Sequence, residues 1–200
     1  MGLGAIALVQ ESNVLIEDCT FEHCDRLAPA GGHGKIIDLY GCRNVVIRNC
    51  RFLDQDGGMC VLLWGGTQDV TITGCTFANI MRKERDRDGN GPYGADDGAV
   101  YLNQGFNGEP ITQRIEVSGN TFTNCKGMGV YMDGPNASSP AGATFCREVL
   151  IKENSFVDTR VGVLLWGEKC VVFDNRFVRV GMPYGTIRPG AGNVVDGTAR

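Results

Sequence analysis

Apolar and polar residues alternate in short bursts along this chain, and the bursts return in a fixed order. One nine-residue phrase occurs six times: NVLIEDCTF at 13–21, NVVIRNCRF at 44–52, DVTITGCTF at 69–77, RIEVSGNTF at 114–122, EVLIKENSF at 148–156 and, offset by one, CVVFDNRFV at 170–178. Its pattern is apolar, x, apolar, x, x, Cys or Asn, x, Phe. Val14 and Ile16 alternate and so face one side; Cys19 and Phe21 do the same. The three-residue step from Ile16 to Cys19 breaks the period of two, so a bend there turns all four side chains toward one interior. A further strand precedes each phrase: GAIALV (4–9), KIIDLY (35–40), MCVLLW (59–64), AVYLNQ (99–104), GVYMDG (129–134) and GVLLWG (162–167). No segment sustains a 3.6-residue apolar period, so essentially no helix is predicted.

Three short strands per turn and one turn per repeat define an all-β fold, a right-handed single-stranded parallel β-helix of about six to seven coils. The shortest repeat, Phe156 to Phe177, is 21 residues, enough for three strands and three tight turns. A β-sandwich also has many short strands, but its strands do not repeat one phrase. Stacked at about 4.8 Å, equivalent residues form interior columns. Phe21, Phe52, Phe77, Phe122, Phe156 and Phe177 make one. Cys19, Cys50, Cys75, Asn120, Asn154 and Asn175 make another, in which the asparagines pair amide to amide.

Residues 1–200 are predicted to form one domain with one elongated core. The 29 glycines fit a fold made of turns, and a net charge of −4 argues against a nucleic-acid partner. The basic run Arg82, Lys83, Arg85, Arg87 is interleaved with Glu84, Asp86 and Asp88 and reads as a solvated loop. No apolar run is long enough to span a membrane, and Met1–Gln10 lacks the basic start of a signal peptide. Nine cysteines, an odd number with no CxxC pair, argue against a zinc site and leave the redox compartment open. A strand already runs at residue 4, and Asn193–Val195 opens another phrase. The expectation is therefore a piece of a longer β-helix without terminal caps, able to self-associate through its open ends.

Chemistry is predicted on the outward face of the strand that precedes each phrase. Alternation puts Asp38 and Tyr40, Leu62 and Trp64, Tyr101 and Asn103, Tyr131 and Asp133, and Leu164 and Trp166 outside. Both tryptophans fall there with three of the five tyrosines. Exposed aromatics in a row with carboxylates and amides suit sugar rings, whose CH faces stack while their hydroxyls hydrogen-bond. The larger inserts (22–34, 53–58, 78–98, 103–113, 133–147) flank the same strand. They bring His33, Asp56, Asp96 and Asp97, and Arg160 stands beside it. The competing reading folds those inserts over the aromatics and buries them.

These features resemble the pectin-lyase-like superfamily of β-helices along nearly the whole chain, and locally its polygalacturonase-type glycoside hydrolases. Asp54-Gln55-Asp56-Gly57 stands where that family has Asn-Thr-Asp-Gly. Gly94-Ala95-Asp96-Asp97 stands at its Asp-Asp pair, and Gly127-Met128-Gly129 at its Gly-His-Gly. Leu164 and Trp166 replace its Arg-x-Lys, and Gly32-His33-Gly34 lies one coil before Asp56. The resemblance implies Asp97 as a general acid, with Asp56 and Asp96 activating water for inverting hydrolysis. It favours a secreted or cell-surface setting. The missing His, Arg and Lys are the groups that would grip an acidic sugar, which leaves a neutral or differently charged glycan.

The leading expectation is therefore a carbohydrate-active β-helix that hydrolyses a polysaccharide bound along an aromatic groove, with no cofactor. Asp56, Asp96 and Asp97 are its catalytic candidates. Asp38, Tyr40, Trp64, Tyr101, Asn103, Tyr131, Asp133, Trp166, His33 and Arg160 are its binding candidates. A lyase or epimerase on the same scaffold is an alternative, as is a non-catalytic adhesin or structural module. The same aspartates can also be read as turn residues or as calcium ligands.

Overall fold

The computed structural model describes residues 5–24, 35–55, 59–80, 98–103, 110–134, 145–187, 192–196 and 198–199. Among them every regular element is a strand, and the strands stack into three sheets. The first sheet contains Ile6–Val9, Lys35–Tyr40, Met59–Trp64, Gly98–Leu102, Met128–Met132, Val161–Leu165 and Met182–Ile187. The second holds Ser12–Glu17, Arg43–Arg48, Gln68–Thr73, Gln113–Ser118, Arg147–Lys152, Val171–Phe173 and Val194–Val195. The third holds Thr20–Glu22, Arg51–Gln55, Thr76–Ile80, Thr121–Thr123, Ser155–Val157 and Arg176–Val178. Successive strands within each sheet pair in parallel; the one antiparallel pair joins Val194–Val195 to Thr198–Ala199. The chain visits the sheets in the order one, two, three and starts again. This is the parallel β-helix that the repeat predicts.

The three-residue step inside each phrase has a backbone cause. Asp18, Asn49, Gly74, Gly119, Glu153 and Asp174 stand between the second and third sheets, each with φ between 53° and 63°. One left-handed residue per coil turns the chain without losing the inward alternation. Asp, Asn and Gly enter that region at least cost; Glu153 adopts it too. The last strand of each coil ends on a second left-handed column: His23, Asp54, Asn79, Asn124, Asp158 and Arg179. Its side chains bond along the stack, Asn79 Nδ2 to Asp54 at 2.7 Å, Asn124 Nδ2 to Asn79 at 2.9 Å, and Arg179 to Asp158 at 2.6 and 2.7 Å.

Inside the tube the six phenylalanines stack nearly parallel. Neighbouring centroids are 4.7–5.1 Å apart and the planes lie within 13° of each other. Beside them Asn154 bridges two coils. Its Oδ1 accepts from the backbone N and Nδ2 of Asn120, both at 3.0 Å. Its Nδ2 donates to Val117 O and Asn175 Oδ1, both at 2.9 Å. In the cysteine coils the thiol does the same work more weakly: Cys75 Sγ accepts from Cys50 N at 3.4 Å and approaches Ile47 O at 3.8 Å. All nine cysteines are free thiols, and seven are buried. Burial pushes Cys75, Cys125 and Cys170 up to about 12.

Candidate functional site

The outward side of the first sheet carries a second apolar cluster, separate from the tube's core. Met59, Leu62, Tyr101, Met128 and Tyr131 are buried in it, with Trp64, Val161 and Leu164 packed against them. The expectation of Tyr101 and Tyr131 as exposed stacking platforms is therefore corrected. They are 7% and 8% exposed. Each ring is flanked by side chains one coil away, the two rings at 4.8 Å from each other. What the tyrosines present outward is their hydroxyls. Tyr101 donates to Asp133 Oδ2 at 3.1 Å and Tyr131 to Asp133 Oδ1 at 3.3 Å, while Gly134 N donates to Oδ1 at 2.9 Å. The carboxylate of Asp133 is thereby held in one orientation.

The next outward position forms a column along the C-terminal edge of the sheet. Tyr40 pairs with Trp64 in register. Asn103 N then donates to Leu63 O, and Asp133 N to Leu102 O, which places Asn103 and Asp133 in the next two coils. Trp166 follows, and all five side chains are half-buried. Four steps of about 4.8 Å make a strip roughly 19 Å long. At one end, the Tyr40 and Trp64 rings meet edge to face at 4.7 Å. Trp64 Nε1 donates to Asp38 Oδ1 at 2.6 Å, and Lys35 reaches Asp38 Oδ2 at 3.1 Å while lying 4.9 Å over the indole. At the other end, Trp166 lies on Gly134, where any Cβ would overlap the indole.

A hollow opens beside each end of the strip. One, of about 340 Å³, is lined by residues including Glu11, Tyr40, Arg43, Gly65 and Pro110. The other, of about 110 Å³, is lined by Tyr131, Met132, Asp133, Gly134, Leu164 and Trp166. Two buried polar atoms on the strip lack any partner: Trp166 Nε1, a donor, and Asn103 Oδ1, an acceptor.

The structure thus brings Asp38, Tyr40, Trp64, Asn103, Asp133 and Trp166 onto one edge, with Tyr101 and Tyr131 supporting it from beneath. Arg160 is exposed just ahead of Val161–Leu165, at the opposite, N-terminal border of the sheet from Trp166. Asp56, Asp96, Asp97 and His33 lie outside the described residues. Two participants lie outside the outward positions that alternation predicts. Lys35 falls on the inward side by strict alternation, yet its ammonium reaches Asp38. Gly134 reads as an ordinary turn glycine. Among the described residues, one set of donors could hold a metal ion: Glu22, His23 and Asp54 on the third sheet, with ligand atoms within 4.8 Å of one another.

The family model described as "Right handed beta helix region" matches residues 2–193. Among solved structures, the chain is similar to the tailspike protein of E. coli bacteriophage HK620 in complex with pentasaccharide. Identity is 18% and the TM-score 0.52, covering 95% of this chain and 38% of that one. A double mutant of the same tailspike, also with pentasaccharide, aligns at 16% identity and a TM-score of 0.50, covering 92% and 36%. The chain therefore spans little more than a third of these neighbours, and at such identity the likeness is one of fold. No curated protein matches.

Proposed function

The chain belongs to the right-handed β-helix family, and from that premise we propose that it binds a polysaccharide along the C-terminal edge of its first sheet and hydrolyses its glycosidic bonds. The observation that carries the reading is the strip itself. Half-exposed rings at Tyr40, Trp64 and Trp166 are separated by the hydrogen-bonding groups of Asn103 and Asp133. An aromatic face takes the apolar side of a sugar ring, and fixed polar groups between the rings take its hydroxyls. The pentasaccharide held by the HK620 tailspike, built on the same coil, supports a carbohydrate partner.

Hydrolysis is the finer part of the proposal, with Asp97 as acid and Asp56 and Asp96 as bases. A glycan panel scored for both new reducing ends and unsaturated products tests it. The expected result is reducing ends without unsaturated products, falling at least 100-fold in Asp97→Asn. Unsaturated products would replace hydrolysis by elimination. Binding without either product leaves a binding module. Failure of the Trp64→Ala and Trp166→Ala variants to weaken binding of any glycan would sink the strip as its site.

A further inference from the structure

We infer that Glu22, His23 and Asp54 form a site for a divalent transition-metal ion of the zinc type, which straps the first two coils together at the edge of the third sheet. The site is separate from the strip and does not depend on the function proposed for it.

The three donors come from two coils. Glu22 ends the strand Thr20–Glu22 and pairs in register with Leu53, so His23 falls beside Asp54 in the next coil. The ligand atoms of all three lie within 4.8 Å of one another. His23 and Asp54 are also consecutive members of the left-handed column. Further along, steps of that column are closed by hydrogen bonds of 2.6–2.9 Å, from Asn79 to Asp54, Asn124 to Asn79 and Arg179 to Asp158. The step from His23 to Asp54 is not closed in this way. Among the described residues, neither the His23 imidazole nor the Glu22 carboxylate has a hydrogen-bonding or ionic partner. Nor does Lys or Arg pair with either carboxylate there, and two like charges at this separation repel. A cation between them reverses that repulsion.

The groups around the three donors hold them in place. Asn79 Nδ2 donates to Asp54 Oδ1 at 2.7 Å, which orients the carboxylate and leaves Oδ2 for another partner. Behind the site Gln55, 1% exposed, clamps the two coils. Its Nε2 donates to Phe21 O at 2.8 Å and Leu53 O at 2.6 Å, and its Oε1 accepts from Cys24 N at 2.9 Å. The backbone is therefore fixed on both sides of Glu22 and His23. Outer partners of this kind orient metal ligands and set their affinity.

The donor set narrows the ion. Calcium takes six to eight oxygens, whereas an imidazole with carboxylates suits zinc and its neighbours. Donors on a tetrahedral zinc, at about 2.1 Å from it, lie about 3.4 Å apart. Glu22 and His23 are exposed and can close the remaining roughly 1 Å by rotation. Three protein ligands leave the fourth position to water. No thiolate takes part, so this is not the cysteine site that the spacing of the thiols argues against.

The test titrates the full, chelator-treated chain with Zn²⁺ by calorimetry and repeats it with Ca²⁺. His23→Asn, Asp54→Asn and Glu22→Gln remove ligands while keeping size, and Asn at 23 tolerates the left-handed backbone. The expected result is one zinc per chain, bound more tightly than calcium. Each ligand variant should weaken it at least tenfold and Asn79→Ser about tenfold. Zinc should raise the urea midpoint of the unaltered chain and not that of His23→Asn. Co²⁺ should give d–d bands without a thiolate charge-transfer band, a readout that a purely structural role for His23 would not supply. The chain has two histidines, so His33→Asn and Cys24→Ser serve as controls and should bind as the unaltered chain does. No zinc binding, binding that survives His23→Asn, loss of binding in either control alone, or a thiolate band overturns the site. Tighter calcium binding overturns the class of ion.

Discussion

Replacing Asn154 tests whether the interior ladder holds adjacent coils together. The residue is 1% exposed and makes four side-chain hydrogen bonds. Asn154→Ala removes them all, but the groups left behind differ. Asn120 Nδ2 keeps Ile72 O at 2.9 Å, and Asn175 Oδ1 keeps Asn154 N at 3.0 Å. The backbone N–H of Asn120 loses the acceptor it has in Asn154, and Val117 O loses a donor. The stranded N–H costs about 2 kcal/mol, the under-satisfied carbonyl about 1, and the void about 1 more. Asn154→Ala is therefore expected to destabilise by about 3–5 kcal/mol. Asn154→Cys is expected to recover about half, because a thiol in this column accepts the same N–H and faces the same carbonyl, as Cys75 does.

Urea unfolding measures the sum, and hydrogen exchange at Asn120 measures the local event. The order of stability should be Asn, Cys, Ala, with the Asn120 amide exchanging fastest in the Ala variant. In a solenoid each coil contacts only its neighbours, so amides near Phe21 should stay unchanged. A loss below about 1 kcal/mol for Ala, or a Cys variant less stable than Ala, would refute the assignment of this column as a hydrogen-bonded ladder.

Other outcomes follow from the same geometry. Phe122→Ala, between rings 4.7 and 4.8 Å away and fully buried, should cost about 3–5 kcal/mol in urea unfolding, against a much smaller loss for Phe122→Leu. Gly134→Ala should leave the midpoint of unfolding within about 1 kcal/mol, since the strip lies at the edge of the core, yet shift Trp166 emission as the indole moves. At about pH 8 a thiol reagent should modify at most the two half-buried cysteines, Cys19 and Cys24, in the native protein and all nine after denaturation. Burial favours the neutral thiols of Cys75, Cys125 and Cys170, so their contribution is complete below the unfolded value of about 8.5 and is lost as pH rises toward 12. The urea midpoint should therefore fall between about pH 9 and 11; a flat profile would contradict it.

Most of the coil can be read from the residues because its interior repeats with the coil's own period. The Phe column, the Cys/Asn column and the bend after Ile16 each follow from one phrase. Alternation also says which side of the first sheet faces outward. It cannot say what lies against that side, because that depends on neighbours a whole coil away. Tyr101 and Tyr131 are buried by Met59, Leu62, Met128 and each other, contacts of long sequence separation. Their hydroxyls meet on Asp133, 32 and two residues away. Lys35 departs from the alternation because a strand's first residue need not follow the pattern of the rest. Two local motifs carry the candidate acids Asp56, Asp96 and Asp97, and all three residues lie outside the described part of the structure.

The two outward columns of the first sheet also differ from the interior in kind. A column that only stacks gains by repeating one residue, since each copy meets the same neighbour above and below; six phenylalanines within 13° of parallel are the result. The edge column reads Tyr40, Trp64, Asn103, Asp133, Trp166, no two neighbours alike. Its members do not stack as one pile: Tyr40 meets Trp64 edge-on, Trp64 bonds to Asp38, and Trp166 lies on Gly134. Such a sequence adds less to coil stacking than a uniform one, and it leaves two buried polar atoms without partners. Both losses have a physical rationale if the column matches something as uneven as itself, a chain molecule with a different chemical face at each step. The repeat sets the spacing, and the departures from it mark where a ligand is read.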